Sequence, residues 1–219
     1  MRKLEFGRRA ALSGKAHSLV VFVHGYGADG ADLLGLADPL GPHLPNTVFV
    51  SPNAPDACPG NPFGYQWFPI PWLDGSSQAA AEEGLDKSAR DLDGFLDAML
   101  AAEGLTADRM ALVGFSQGTM ISLHVAPRRP LPIAGVVGFS GRLLRPDLLD
   151  GQVVSRPPVL LIHGDADQVV PYGDMAQAAE TLDGAGIAVV THTSPGMGHG
   201  IGQDGLGLAL QFLLDRLPG

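Results

Sequence analysis

Ser116, Asp167 and His199 have the types and the chain order of a nucleophile, an acid and a base. Ser116 stands in Gly114-Phe115-Ser116-Gln117-Gly118, with glycines two residues to either side. The apolar run Met110 to Val113 precedes it and the helical run Thr119 to Val125 follows, which puts the pentapeptide at a strand-to-helix junction. A sharp turn there lifts the serine out of the sheet, and the glycines let strand and helix approach closely. The Gln117 amide then opens a helix, where unpaired N–H groups and the positive dipole end stabilise a developing oxyanion. Gly138-Phe139-Ser140-Gly141 offers a second serine after a strand. It lacks the second glycine at that spacing and runs into Leu143, Leu144 and Pro146, so Ser140 reads as a turn residue.

A serine hydroxyl is a poor nucleophile at neutral pH until an imidazole takes its proton, and a carboxylate must fix that imidazole's tautomer. On a strand-to-helix elbow the chain order is serine, acid, histidine. The strand Val159 to Ile162 leads into His163-Gly164-Asp165-Ala166-Asp167-Gln168-Val169-Val170-Pro171, where two carboxylates compete. Asp165 is placed to bond its own loop as an Asx turn, and Asp167, at the apex, is the preferred acid. The base falls in Pro195-Gly196-Met197-Gly198-His199-Gly200, with glycines on both sides of His199; its competitor His192 lies inside a strand run. His163, Asp165, Asp167 and His199 also suggest a metal cluster, but no local ligand pair on a rigid element supports one. His17, His43 and His124 read as surface or helix-face residues.

Acyl transfer needs a second N–H donor beside the nucleophile. His24-Gly25-Tyr26-Gly27 follows the strongest early strand, Leu19 to Val23, and makes the Tyr26 amide the candidate. A substrate pocket is expected from the segment 51–77, which holds six prolines and both tryptophans. No regular element is legible in it, and a connection of that length is usually functional or disordered. Its aromatic content argues against disorder. Trp67, Phe68, Ile70 and Trp72 are the candidate substrate-binding residues, with Phe63 and Leu73 beside them, lining an apolar groove next to Ser116. The alternative is an aromatic plug on the outer helices.

These residues need a scaffold. Strands are expected at Leu19 to Val23, Thr47 to Val50, Met110 to Val113, Ile133 to Phe139, Val159 to Ile162 and Ile187 to Thr191, several apolar on both faces as buried parallel strands are. Helices are expected at Ala31 to Leu40, Ala79 to Ala102, Gln117 to Ala126, Gly173 to Ala185 and Leu206 to Leu217. Such alternation forces crossovers, hence one α/β domain over 1–219 with a mostly parallel central sheet flanked by helices on both faces.

Composition sets the outer limits. The 219 residues, 45% hydrophobic and 17% charged, fit one globular core and exclude a mainly disordered chain. A formal charge of -9 repels phosphate backbones and anionic headgroups, so no nucleic acid partner is expected. The single cysteine, Cys58, excludes an intramolecular disulfide and reads as a loop thiol. The start, Met1 to Leu12, is not a secretory signal, and no apolar run approaches the roughly 18 residues of a membrane span. A soluble cytoplasmic protein without membrane insertion is expected; no signal fixes its oligomeric state.

Six stretches carry a resemblance, in order along nearly the whole chain. They are His24-Gly25 with Gly27, Ser51-Pro52-Asn53-Ala54-Pro55, Gln66-Trp67-Phe68, Gly114 to Gly118, His163 to Pro171, and Gly196-Met197-Gly198-His199. Together they resemble the phospholipase/carboxylesterase family of small α/β-hydrolases, which includes acyl-protein thioesterases and bacterial carboxylesterases. The resemblance implies an α/β-hydrolase fold and a serine hydrolase without metal or organic cofactor. It implies Ser116, Asp167 and His199 as triad and the Tyr26 and Gln117 amides as oxyanion hole. Two departures bear on substrate. Thioesterase-like members usually carry Trp-Phe-Asp where this chain has Trp67-Phe68-Pro69, and Thr119 stands where they tend to have glycine. The first removes a carboxylate from the entrance loop and argues against lipidated-protein substrates, the second resembles the bacterial carboxylesterase branch, and the proline-rich loop suggests a stiff, modest pocket for small-molecule esters, short-chain or aryl. The alternatives are a thioesterase or lysophospholipase for long acyl chains, and an idle fold used for binding.

Overall fold

A computed structural model describes residues 1–218. Its first half runs β1 (Phe6–Arg9), β2 (Ser18–Val23), α1 (Gly30–Leu34), α2 (Ala37–Leu40), β3 (Thr47–Pro52), β4 (Asp56–Cys58), β5 (Asn61–Gln66), α3 (Pro71–Asp74) and α4 (Gln78–Glu103). The second half runs β6 (Met110–Phe115), α5 (Gln117–Val125), β7 (Gly135–Phe139), α6 (Leu149–Gln152), β8 (Val159–Gly164), α7 (Gly173–Gly184), β9 (Val189–Ser194) and α8 (Gln203–Arg216).

Seven strands form one sheet in the order β1-β3-β2-β6-β7-β8-β9. All pairs are parallel except β1 with β3. Side chains alternate across a strand, so a run apolar at every position feeds two cores. Leu19, Val21 and Val23 face α4, α5 and α7 on one side, with Leu92, Leu96, Ile121 and Leu182 among their company. Val20 and Phe22 face α1, α2 and α8 on the other, with Leu33, Leu40 and Leu213. Each such side chain taken fully from water contributes about 1.5–3 kcal/mol. Helices on both faces of a mostly parallel sheet make this the expected α/β-hydrolase fold.

Strand order dictates where a site forms. The chain passes from β2 outward to β3 and then returns to the far side of β2 as β6, so the order reverses between β2 and β6. Loops leaving the carboxyl ends of two such strands diverge and leave a crevice. The His24–Gly27 loop and the Ser116 turn are those two exits.

Several elements differ from expectation. The helix Ala31 to Leu40 is two short helices, broken at Gly35, and β9 starts two residues late because Gly186 turns in the left-handed region and Ile187 is buried. The segment 51–77 is not without structure: β4 and β5 form a hairpin with an irregular register between Ala57 and Cys58, and α3 follows. Short, proline-interrupted strands paired only to each other leave no apolar alternation to read. The edge strand β1 carries no apolar alternation either, since Arg8 and Arg9 follow Phe6 and Gly7 and none of the four is buried. The long helix α4 has clear stops: the Ser77 side chain accepts from the Ala80 N–H, and Gly104 closes it at φ 66°. Among the described residues, no helix is long and apolar enough to cross a membrane.

Candidate active site

The turn between β6 and α5 holds Ser116 at φ 53°, ψ −116°, a left-handed conformation costing a side-chain-bearing residue about 1–3 kcal/mol. Surrounding contacts hold it there. The Ser116 N–H donates to Phe139 O at 2.9 Å, and its own carbonyl accepts from the Met120 N–H at 3.1 Å. The flanking glycines are required by space. A Cβ at Gly114 would stand 2.6 Å from the Thr119 nitrogen, and one at Gly118 would overlap the Val23 carbonyl. Ser116 keeps 9% of its surface exposed. That leaves the hydroxyl at the crevice.

Asp167 and His199 meet. His199 Nδ1 donates to Asp167 Oδ2 at 2.7 Å, while Asp167 Oδ1 accepts the Val169 and Val170 amides at 2.8 and 3.0 Å. Burial by itself raises the Asp167 pKa, but the His199 imidazole and those two amides outweigh it and hold the carboxyl below its ordinary value. An ionised Asp167 accepts at Nδ1, so the proton-free nitrogen of a neutral His199 is Nε2. The imidazole packs on the Phe115 ring, 4.9 Å between centroids, beside Ser116 in the chain. No hydrogen bond joins Ser116 Oγ to His199 in this arrangement. Asp165 does not compete for the histidine: its Oδ1 accepts the Gly196 N–H at 2.6 Å, pinning the loop that carries His199. The Asx-type bonding expected of Asp165 is made by Asp167. His192 pairs with Asp204 at 2.8 Å on β9 and α8.

The loop after β2 lies against the serine. A Cβ on Gly25 would come within 3.3 Å of Ser116 Cβ, which sets the backbone around Tyr26 beside the nucleophile turn. Gln117, first residue of α5, has an N–H with no earlier helical carbonyl to accept it. The sequence did not reveal what holds this loop. His24 is fully buried, with Nδ1 on Gly25 O at 2.7 Å and Nε2 accepting the Ala54 N–H at 2.9 Å. Burial, opposed only in part by the Gly25 carbonyl, lowers its pKa and keeps it neutral. Cys58 is no loop thiol: it is buried on β4 and meets the Tyr26 hydroxyl, whose pKa burial and this contact raise.

Trp67 is not a pocket residue. It is fully buried, and its indole N–H donates to His24 O at 3.0 Å. Its backbone N–H donates to Gln117 Oε1 at 2.8 Å, Gln117 Nε2 donates to Phe68 O at 2.7 Å, and the Ser88 hydroxyl donates to Trp67 O. The Gln117 side chain and Trp67 thus tie the aromatic segment to both loops of the crevice. A buried indole needs a partner for its N–H, and here the partner is the loop itself.

Phe68, Ile70 and Trp72 line a largely apolar groove of about 550 Å³, part of it open to solvent, with Leu85, Met120 and Leu144 as further walls and Glu82 and Arg145 beside them; Ser116 and His199 are not among its walls. Met120 stands one helical turn from Ser116. Trp72 is 64% exposed at the rim, with the Arg142 guanidinium 4.7 Å above its ring. Phe63 and Leu73 are exposed to solvent and do not line this groove. His163 is buried beside Asp167, but among the described residues no three His, Cys, Asp or Glu side chains are arranged to hold a metal. Of the remaining histidines, His17 and His43 are exposed, whereas His124 lies on a helix that is covered on every face, so it is buried.

The phospholipase/carboxylesterase family profile matches residues 10–215. Acyl-protein thioesterase 1 of Neurospora crassa is 29% identical over 213 residues, covering 91% of this chain and 86% of that protein. Esterase YpfH of Escherichia coli is 26% identical, covering 93% and 84%. The crystal structure of esterase PE8 superposes with a TM-score of 0.94 at 44% identity, covering 99% of this chain and all of that one.

Proposed function

The chain belongs to the phospholipase/carboxylesterase family, a family of ester hydrolases, and we propose that it is a serine carboxylesterase working through an acyl-enzyme on Ser116. One observation carries this reading. The imidazole of His199, fixed by a buried carboxylate, lies on Phe115 immediately before a serine held in a strained strand-to-helix turn. As Ser116 Oγ attacks the ester carbonyl, His199 Nε2 takes its proton and Asp167 stabilises the resulting cation. The Tyr26 and Gln117 amides receive the oxyanion. The tetrahedral adduct collapses, the alcohol leaves with the proton from His199, and water repeats the sequence to release the acid. Hydroxyl and imidazole close up when substrate fills the crevice, as such bonds often tighten only in the complex.

The groove between Phe68, Ile70, Met120 and Leu144 supports a modest acyl or aryl group. The second reading, hydrolysis of long acyl thioesters, is favoured by the name of the Neurospora crassa relative and by the solvent-open end of the groove. Rates on p-nitrophenyl butyrate and palmitate separate the two: a higher kcat/KM on butyrate is expected, and a strong palmitate preference would select the second. A fluorophosphonate probe is expected to label Ser116 in folded protein. No adduct would leave the fold as a binding module.

A further inference from the structure

The acid of the proposed triad has a second histidine beside the oxygen that serves the first. His163, at the end of β8, is 1% exposed and places Nε2 3.2 Å from Asp167 Oδ2 and 3.0 Å from Val170 O. Both neighbours accept and neither donates while Asp167 is ionised, so Nε2 must carry the proton, which it donates to Val170 O beside the carboxylate. Asp167 Oδ2 therefore accepts from His199 with the His163 N–H 3.2 Å away, and Oδ1 accepts from two amides. The Asp167 side chain is fully buried. A carboxylate taken from water in this way stays charged and oriented only when its lone pairs are filled, and removing one donor leaves an acceptor short.

We propose that His163 is a positioning residue for the hydrolytic reaction, which holds the Asp167 carboxylate so that Oδ2 meets His199 Nδ1. The inference rests on the reading of Asp167 and His199 given above. His163 does not reach substrate. Around it the other polar groups are engaged elsewhere: the Tyr172 ring meets it edge-on at 6.1 Å with its hydroxyl on Thr193, and Asp165 is bound to Gly196. The Val170 carbonyl supplies the second acceptor, tying the imidazole to the same loop whose amides hold Oδ1. One side chain thereby couples the end of β8 to the loop whose amides hold Oδ1 and sets its N–H facing Oδ2.

The test uses the purified full chain on p-nitrophenyl butyrate. His163→Leu, which removes the donor, is expected to lower kcat about tenfold to 100-fold with KM within about twofold. His163→Gln, whose amide nitrogen can stand near the lost Nε2, is expected to restore most of that loss. Unchanged kcat in folded His163→Leu, or no recovery in His163→Gln at wild-type Tm, would overturn the proposal. Should the leucine variant not fold, ¹⁵N-imidazole NMR of the wild type decides. A protonated Nε2 on His163 is expected at neutral pH, and an unprotonated one rejects the role. Ser116→Ala run alongside separates the two levels: full activity there removes the triad reading, whereas lost activity with a silent His163→Leu removes this inference alone.

Discussion

Two adjacent strands of the sheet end in the same dipeptide. Phe115-Ser116 closes β6 and Phe139-Ser140 closes β7, with φ of 53° and 47° at the two serines. Each serine N–H donates at 2.9 Å to the next strand over, Ser116 to Phe139 O and Ser140 to Ile162 O. The backbone strain is the same. The surroundings are not: α5 begins at the residue after Ser116, whereas Ser140 runs into Gly141 and an irregular segment. Ser116 is still reachable, while Ser140 has no exposed surface and a hydroxyl without a partner. A strained serine turn is therefore not itself a nucleophile site. What distinguishes Ser116 is the helix start behind it, the crevice above it and the imidazole on the neighbouring ring.

The sharpest break of the comparison is removal of each hydroxyl. Ser116→Ala is expected to lower kcat by about 10⁶ with the melting curve little changed, as loss of a triad nucleophile does. Activity in Ser116→Ala and not in Ser140→Ala would exchange the two turns. Next in size, Asp167→Asn is expected to cost about 10⁴ in kcat by imposing the wrong imidazole tautomer, and Asp165→Asn less than about tenfold, since it only loosens the Gly196 loop. The reverse order in steady-state rates would identify Asp165 as the acid.

The helix that only Ser116 launches carries a pH liability. His124 is buried on α5 with Nδ1 unpartnered, and burial, helped by the nearby Arg128 cation, pushes its pKa down to about 4. An unfolded histidine takes its proton near pH 6.5. Below that pH the unfolded chain binds the proton first, so stability falls as pH drops from about 6.5 to about 4, by roughly 3 kcal/mol in total, and then levels off. His124→Leu is expected to flatten that part of the curve, read from urea midpoints at pH 7, 5.5 and 4. An unchanged slope would mean His124 is protonated in the folded protein. The smallest effect is Ser140→Ala, which removes a buried hydroxyl that bonds nothing. Activity within about twofold of wild type and a gain of about 1 kcal/mol in denaturation are expected.

Read from sequence, the candidate nucleophile turn, the proposed acid and base, the parallel alternation and the family all came from local signals. Glycine spacing around Ser116, loop position after Val159 to Ile162, and apolar runs of strand length are properties of neighbours along the chain. The hairpin at 56–66, the strut role of Trp67, the neutral clamp at His24 and the second imidazole beside Asp167 were not legible. Each depends on which backbone carbonyl or carboxylate lies across a gap of many residues. Trp67 shows why: its aromatic type was read as a pocket wall, but its partners are His24, 43 residues earlier, and Gln117, 50 residues later. Residue type and spacing determined which groups can do the chemistry. The packing of distant segments alone decided which groups hold them, because a buried donor takes whatever acceptor the fold brings to it.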